Sequence, residues 1–197
     1  MRLLIFPFLL ILPLVGQPAP RKKPKPPAAN RAPERPFIAD MRAKAMRGQA
    51  KAQFDLGVSY RFGQGVPQDD AEAVKWYRKA AQQGYAKAQY NLGVCSDTGR
   101  GTSRDYSEAV RWYRQAAEQG HAKAQFNLGV SYKYGQGVTQ DYVEAYAWLS
   151  LSAANGEAIA LKSRGEVMNH LSPQDLERAK VRERKLREEF PVRKLKY

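Results

Sequence analysis

The sequence predicts an all-α protein, a solenoid of antiparallel helical hairpins stacked with a 36-residue period. Three observations lead there. Residues 48–60, Gly-Gln-Ala-Lys-Ala-Gln-Phe-Asp-Leu-Gly-Val-Ser-Tyr, return in close copy at 84–96 and 120–132, and Gly156 stands at the same interval again. Each period shows helical spacing of apolar residues twice, once before and once after a Gly-x-Gly loop. That loop is followed by Asp-x-x-Glu each time, a sequence that starts helices.

Residues 3–15 form an apolar run of 13 after a single arginine. That is the length of a signal-peptide core and short of the roughly 20 residues a membrane span needs. Residues 1–17 are therefore expected to be a signal peptide, and the protein to be periplasmic or secreted. The alternative is an uncleaved anchor that tethers the chain to the inner membrane through residues 3–15. Prolines occupy the place of a cleavage site, and Arg21, Lys22, Lys23 and Lys25 follow the apolar run, where translocation disfavours them. Residues 18–36 hold seven of the twelve prolines among Lys, Arg and Ala, and this composition predicts an extended, disordered linker.

Residues 37–47 align with the second half of a period, Met41 standing where Tyr77 and Tyr113 stand, and are expected to cap the stack. Repeats of 48–83, 84–119 and 120–155 follow. In the first helix of the first repeat, Ala52, Leu56 and Tyr60 make one apolar row and Phe54, Val58 and Phe62 another, so the helix should be packed on two sides. Gly63 suits a left-handed helix stop, Asp69 an N-cap with Glu72 at N3, and Ala73, Trp76, Tyr77, Ala80 and Ala81 an inner face. Small Ala52, Gly57 and Ala80 let helices approach, and Trp76, Tyr60 and Phe54 fill the gaps between units. Residues 156–197 are a divergent capping repeat with a basic tail. Ser172, Pro173 and Asp175 start its last helix, which carries Arg178, Arg182, Lys185 and Arg187.

The net charge of +14 is concentrated at the ends: residues 1–36 and 178–197 each carry a net +6, leaving the repeats near neutrality. A groove that tracks phosphates would carry its charge along the repeats, so no nucleic-acid partner is expected. The single cysteine, Cys95, excludes an intramolecular disulfide and a cysteine-based metal site. His121 and His170 lie far apart with no companion pattern, and Asp97-Thr98-Gly99 occurs once, whereas aspartic-protease chemistry needs two carboxylates. No catalytic residue, metal or cofactor is expected.

The binding surface is expected on the first helices. At i, i+4, i+8 they carry Lys51, Asp55, Ser59; Lys87, Asn91, Cys95; and Lys123, Asn127, Ser131, a polar and mildly basic strip suited to a peptide. The middle repeat strays from this pattern, with Ser96 in place of Tyr60 and Thr98 in place of Phe62. Two lost aromatics would leave a cavity costing several kcal/mol unless neighbours fill it. A candidate pocket is therefore expected at Ser96, Asp97 and Thr98.

The pattern Ala-x-Ala-Gln-x-x-Leu-Gly-x-x-Tyr-x-x-Gly-x-Gly-Val-x-x-Asp-x-x-x-Ala-x-x-Trp-x-x-x-Ala-Ala-x-x-Gly, matched almost in full by residues 50–84, resembles the Sel1-like repeat, a relative of the tetratricopeptide repeat. The resemblance covers 48 to about 185. It implies a right-handed solenoid that serves as a non-enzymatic scaffold or adaptor for proteins, often exported from bacteria, with a protein or peptide held on the concave face. Cysteine-rich members of that family have been linked to β-lactam binding and hydrolysis, which keeps an envelope hydrolase of the β-lactam or peptidoglycan type as the alternative. This chain departs from them in lacking the paired cysteines, and also Ser-x-x-Lys and Lys-Thr-Gly. A membrane-anchored cytoplasmic adaptor is the third reading.

Overall fold

The computed structural model describes residues 36–190, and every regular element among them is helical. The helices are α1 (Pro36–Met46), α2 (Ala50–Phe62), α3 (Asp70–Gln82), α4 (Ala86–Thr98), α5 (Tyr106–Glu118), α6 (Ala122–Tyr134), α7 (Tyr142–Ala154), α8 (Ile159–Met168) and α9 (Pro173–Glu189). The expected leader, nearly all of the linker and the last seven residues of the tail lie outside the described residues. α2 pairs with α3, α4 with α5 and α6 with α7, and each second helix also packs on the first helix of the next unit. The result is the all-α solenoid the repeats predict, with α1 packed on α2.

Local chemistry fixes the hairpins. Gly63, Gly99 and Gly135 close α2, α4 and α6 in the left-handed conformation, with φ of 68°, 70° and 68°, which residues with a Cβ rarely adopt. Asp69, Asp105 and Asp141 cap α3, α5 and α7, their carboxylates accepting from backbone N–H groups of the first turn. The reciprocal half of a capping box has nothing to satisfy here. The N–H groups of the three aspartates already donate to Tyr60 O, Ser96 O and Tyr132 O at 2.8–3.0 Å. The N3 glutamates are thereby available for side-chain partners, and Glu108 and Glu144 each accept from the indole four residues on, Trp112 and Trp148.

Small residues set how closely the helices approach. A Cβ on Gly57 would stand 2.7 Å from the Tyr77 ring, one on Gly93 2.6 Å from the Tyr113 ring and one on Gly129 2.8 Å from Leu149 Cγ. Each notch receives the large side chain of its own second helix. Ala73, Trp76, Tyr77, Ala80 and Ala81 are all buried, as the spacing requires. Phe62 is not: it is 64% exposed, and its counterpart Tyr134 59%. Both stand on the last residue of their helices, beyond the reach of the neighbouring units, so the second apolar row ends at Val58.

Buried glutamines tie each unit to the one before. Gln53, Gln89 and Gln125 donate to Ala45 O, Ala81 O and Ala117 O at 3.0, 3.2 and 2.9 Å, a second donor for carbonyls at the ends of α1, α3 and α5 that also accept from the N–H of Gly48, Gly84 and Gly120. Their own carbonyls accept from Gln83, Gln119 and Asn155, which follow the second helix of the same unit.

The last unit departs from the hairpin plan. α8 packs on α7, but α9 also packs on α7 rather than on α8. Three substitutions in the repeat register account for this. Arg164 replaces the fully buried Leu56, Leu92 and Leu128, and Lys162 and Glu166 replace Phe54 and Val58, so α8 offers α9 a polar face. α7 offers an apolar one: eight consecutive residues, 145–152, are buried. Leu186 joins the core of Trp148 and Leu151, Phe190 stacks on Trp148, and Arg182 pairs with Glu144 at 2.7 Å. Ser172 and Pro173 start α9 as expected, with Asp175 N–H donating to Ser172 Oγ.

Candidate functional site

The first helices place the predicted strip in three rows of different accessibility. Lys51, Lys87 and Lys123 are exposed, Asp55, Asn91 and Asn127 half-buried, and Ser59, Cys95 and Ser131 buried at 4%, 3% and 7% exposure. The third row therefore belongs to the interior. Eight residues take a helix through more than two turns, and each first helix turns that far into the second helix of the unit before. Ser59 donates to Asp55 O and lies 3.8 Å from Met41 Sδ, while Cys95 joins the core around Ala73 and Tyr77. Burial pushes the Cys95 thiol up from its usual pKa. What can meet a partner is a lysine row with a row of one carboxylate and two amides beneath it. Lys51 is tied to Asp55 at 2.6 Å.

In the middle repeat, polar groups gather where the tyrosine ring is lost. Ser96 is fully buried and donates to Glu108 Oε2 at 3.2 Å, Arg78 reaches Glu108 Oε1 at 3.2 Å, and Trp112 Nε1 donates to the same oxygen at 3.4 Å. In the flanking junctions Arg42 and Arg114, the counterparts of Arg78, instead donate to the Tyr60 and Tyr132 hydroxyls. Removing the tyrosine thus sends the arginine to the glutamate, a network of charged and polar groups standing where the ring would be. Thr98 is exposed, like Phe62, so its substitution takes nothing from the core. Asp97 accepts from the buried Tyr113 hydroxyl at 3.2 Å.

Position 97 distinguishes the units. Its counterparts are Arg61, paired with Asp70 at 3.3 Å, and Lys133, paired with Glu166 at 2.6 Å. With arginine in place of aspartate, the Tyr77 hydroxyl has no carboxylate to donate to, and burial pushes its pKa up to about 12. Burial also pushes Tyr113 up strongly, and the charge of Asp97 adds to it.

Two grooves lie toward the ends of the described stack. One, of about 590 Å³, runs along α1 and α2 beside Phe37, Met41, Phe54, Asp55, Val58 and Ser59. Two residues of the predicted strip therefore line it. The other, of about 560 Å³, lies between α7 and α9, where Asp141, Glu144 and Glu177 face Arg178, Arg182 and Lys185. Among the described residues no three His, Cys, Asp or Glu side chains are grouped to hold a metal ion, and no helix is long and apolar enough to cross a membrane. His121 caps α6 through Nδ1 and stacks on Tyr90, and His170 stacks on Tyr142.

Comparison with known proteins places this architecture. The Sel1 repeat profile matches residues 50–85, 86–121 and 122–157, two residues later in phase than the glycine-to-glycine division. Among solved structures, a protective antigen present in uropathogenic Escherichia coli strains, which displays an SLR fold, is 36% identical with a TM-score of 0.73. The match covers 78% of this chain, which spans about a third (33%) of that protein. A Sel1 repeat protein from Oxalobacter formigenes is 38% identical over 66% of this chain and 98% of its own, with a TM-score of 0.62. Cysteine-rich protein B of Helicobacter pylori shares the fold at 16% identity, covering 64% of this chain and 95% of its own, with a TM-score of 0.52. No curated protein sequence matches the chain. With three consecutive profile matches over more than half its length, packed as the hairpins described above, the chain belongs to the Sel1 repeat family.

Proposed function

We propose that the protein is a non-enzymatic scaffold of the cell envelope that holds a protein or peptide along the face made by α2, α4 and α6. Sel1 repeat proteins are in general protein-interaction scaffolds, and the observation that carries the reading here is the lysine row. Lys51, Lys87 and Lys123 recur every 36 residues and stay exposed, above Asp55, Asn91 and Asn127. Surrounding positions are committed to packing, so these are the side chains left to read a partner. Lysines favour carboxylates, and the two asparagines can pair with a peptide backbone through both donor and acceptor. The partner is thus an acidic peptide or the acidic surface of a protein. Envelope location rests on the signal-like residues 1–17, and protease protection of fractionated cells tests it.

Charge reversal at the three lysines tests the binding face. The triple variant Lys51→Glu, Lys87→Glu, Lys123→Glu should keep its helical circular dichroism and lose the partners that the native chain captures by cross-linking in its own cells. Unchanged capture would remove the lysine row from the site.

A further inference from the structure

The described stack is incomplete at both ends, and each end lacks what the other has. α1 is a second-type helix with no described first helix of its own. In the complete units, Tyr77 and Tyr113 lie on Gly57 and Gly93 of their own first helices. Met41 stands at the same register with no such helix beneath it among the described residues, and the groove of about 590 Å³ beside Phe37 and Met41 runs along α2 on that side. Phe37 is 70% exposed there.

α8 has the opposite deficit. It is a first-type helix whose second helix has moved onto α7. Its Gly165 keeps the register of Gly57, Gly93 and Gly129, yet nothing lies within 4 Å of where a Cβ would stand. The notch that is filled by a ring or a leucine three times in the chain receives none of the described residues the fourth time. Leu161 and Met168, one turn to either side of it, are 52% and 40% exposed. Of the eight exposed large apolar side chains among the described residues, five sit on these two helices: Phe37 and Met46 on α1, Ile159, Leu161 and Met168 on α8.

We propose that the chain associates head to tail with a second copy, α8 of one copy lying in the α1–α2 groove of the next, with that copy's Phe37 and Met41 over Gly165. The contact continues an interface already established inside the molecule: it rebuilds across two chains the hairpin formed by α2–α3, α4–α5 and α6–α7. The two surfaces differ, so the association is heterologous and extends into an open row unless its rotation closes a ring. Lys162 and Glu166, at the register of the packed Phe54 and Val58, make this junction more polar than the internal ones, which suits reversible, concentration-dependent assembly. The lysine row on α4 and α6 stays outside it.

Disulfide trapping in the full chain tests the pairing. Phe37→Cys and Gly165→Cys are made separately in a Cys95→Ala background, both at exposed positions, and helicity is checked by circular dichroism. Oxidised alone, each should remain unlinked; mixed, they should give a linked dimer holding one chain of each kind. In sedimentation, the native chain should grow in mass with concentration in whole multiples, and Leu161→Glu should reduce this growth at least tenfold. Linked dimers from either variant alone would mean pairing of like ends and overturn the proposal. A mixture that stays unlinked while the native chain sediments as a monomer would also overturn it, the groove then being filled from within the chain or by another protein.

Discussion

Gln89 bonds to groups on three sides: Ala81 O at the end of α3, Gln115 on α5 and Gln119 just after it. It is 3% exposed, so water cannot replace these bonds. Gln89→Leu keeps the size and removes the amide, taking one hydrogen bond each from Ala81 O, Gln115 and Gln119, while Gly84 N–H still pairs with Ala81 O and Gln119 still donates to Gln115 O. The expected loss of stability is about 1–3 kcal/mol, read from the urea midpoint. Tyr77 and Tyr113 give a second test at this scale. The Tyr77 pKa is about 12 folded against 10.0 in the free side chain, and Tyr113 is raised in the same direction. The folded state therefore holds these protons when the unfolded chain has released them, and stability present below pH 10 falls as pH rises toward 12. In an absorbance titration both phenols should ionise together with the loss of helicity, and Tyr77→Phe should flatten the alkaline slope. Individual residues were where the sequence was least legible. Ser59, Cys95 and Ser131 share the helical row of the lysines, and only the turn of each helix into the preceding unit buries them. The glutamines stood in the repeat pattern, but their task depends on where the preceding helix ends.

The hairpins themselves were readable because the determinants of their ends are local. Glycine at 63, 99 and 135 and aspartate at 69, 105 and 141 act on backbone within a few residues of themselves, and each does what its position predicts. Packing of α9 was not readable, since it follows from a competition between two distant surfaces, the polar side of α8 and the apolar α7. The polar network of the middle repeat was not readable for a similar reason: Arg78 and Glu108 are 30 residues apart and meet only in the stack. Glycines at equivalent register separate these environments. Gly93→Ala drives a Cβ against the Tyr113 ring and should cost about 1–3 kcal/mol. Gly165→Ala meets nothing within 4 Å and should stabilise by up to about 1 kcal/mol through helix propensity. Thermal melts of the two variants should move in opposite directions.

At the scale of the molecule, the repeat fixes both the fold and the small number of side chains left over for recognition. A 36-residue period repeated three times determines the architecture almost alone, because each unit buries its apolar faces only against its neighbours. The proposed function draws on what the period does not spend on packing, the lysine row with its carboxylate and amides, and the proposed association draws on α1 and α8. A photo-activated cross-linker placed in turn at Asn91 and Asn127 on the first-helix face, and at Arg111 and Glu118 on α5, tests the central claim most directly. In the cells that make the protein, a partner band should appear from Asn91 and Asn127 and be absent from Arg111 and Glu118. Cross-links of equal strength from both faces, or from α5 alone, would contradict it.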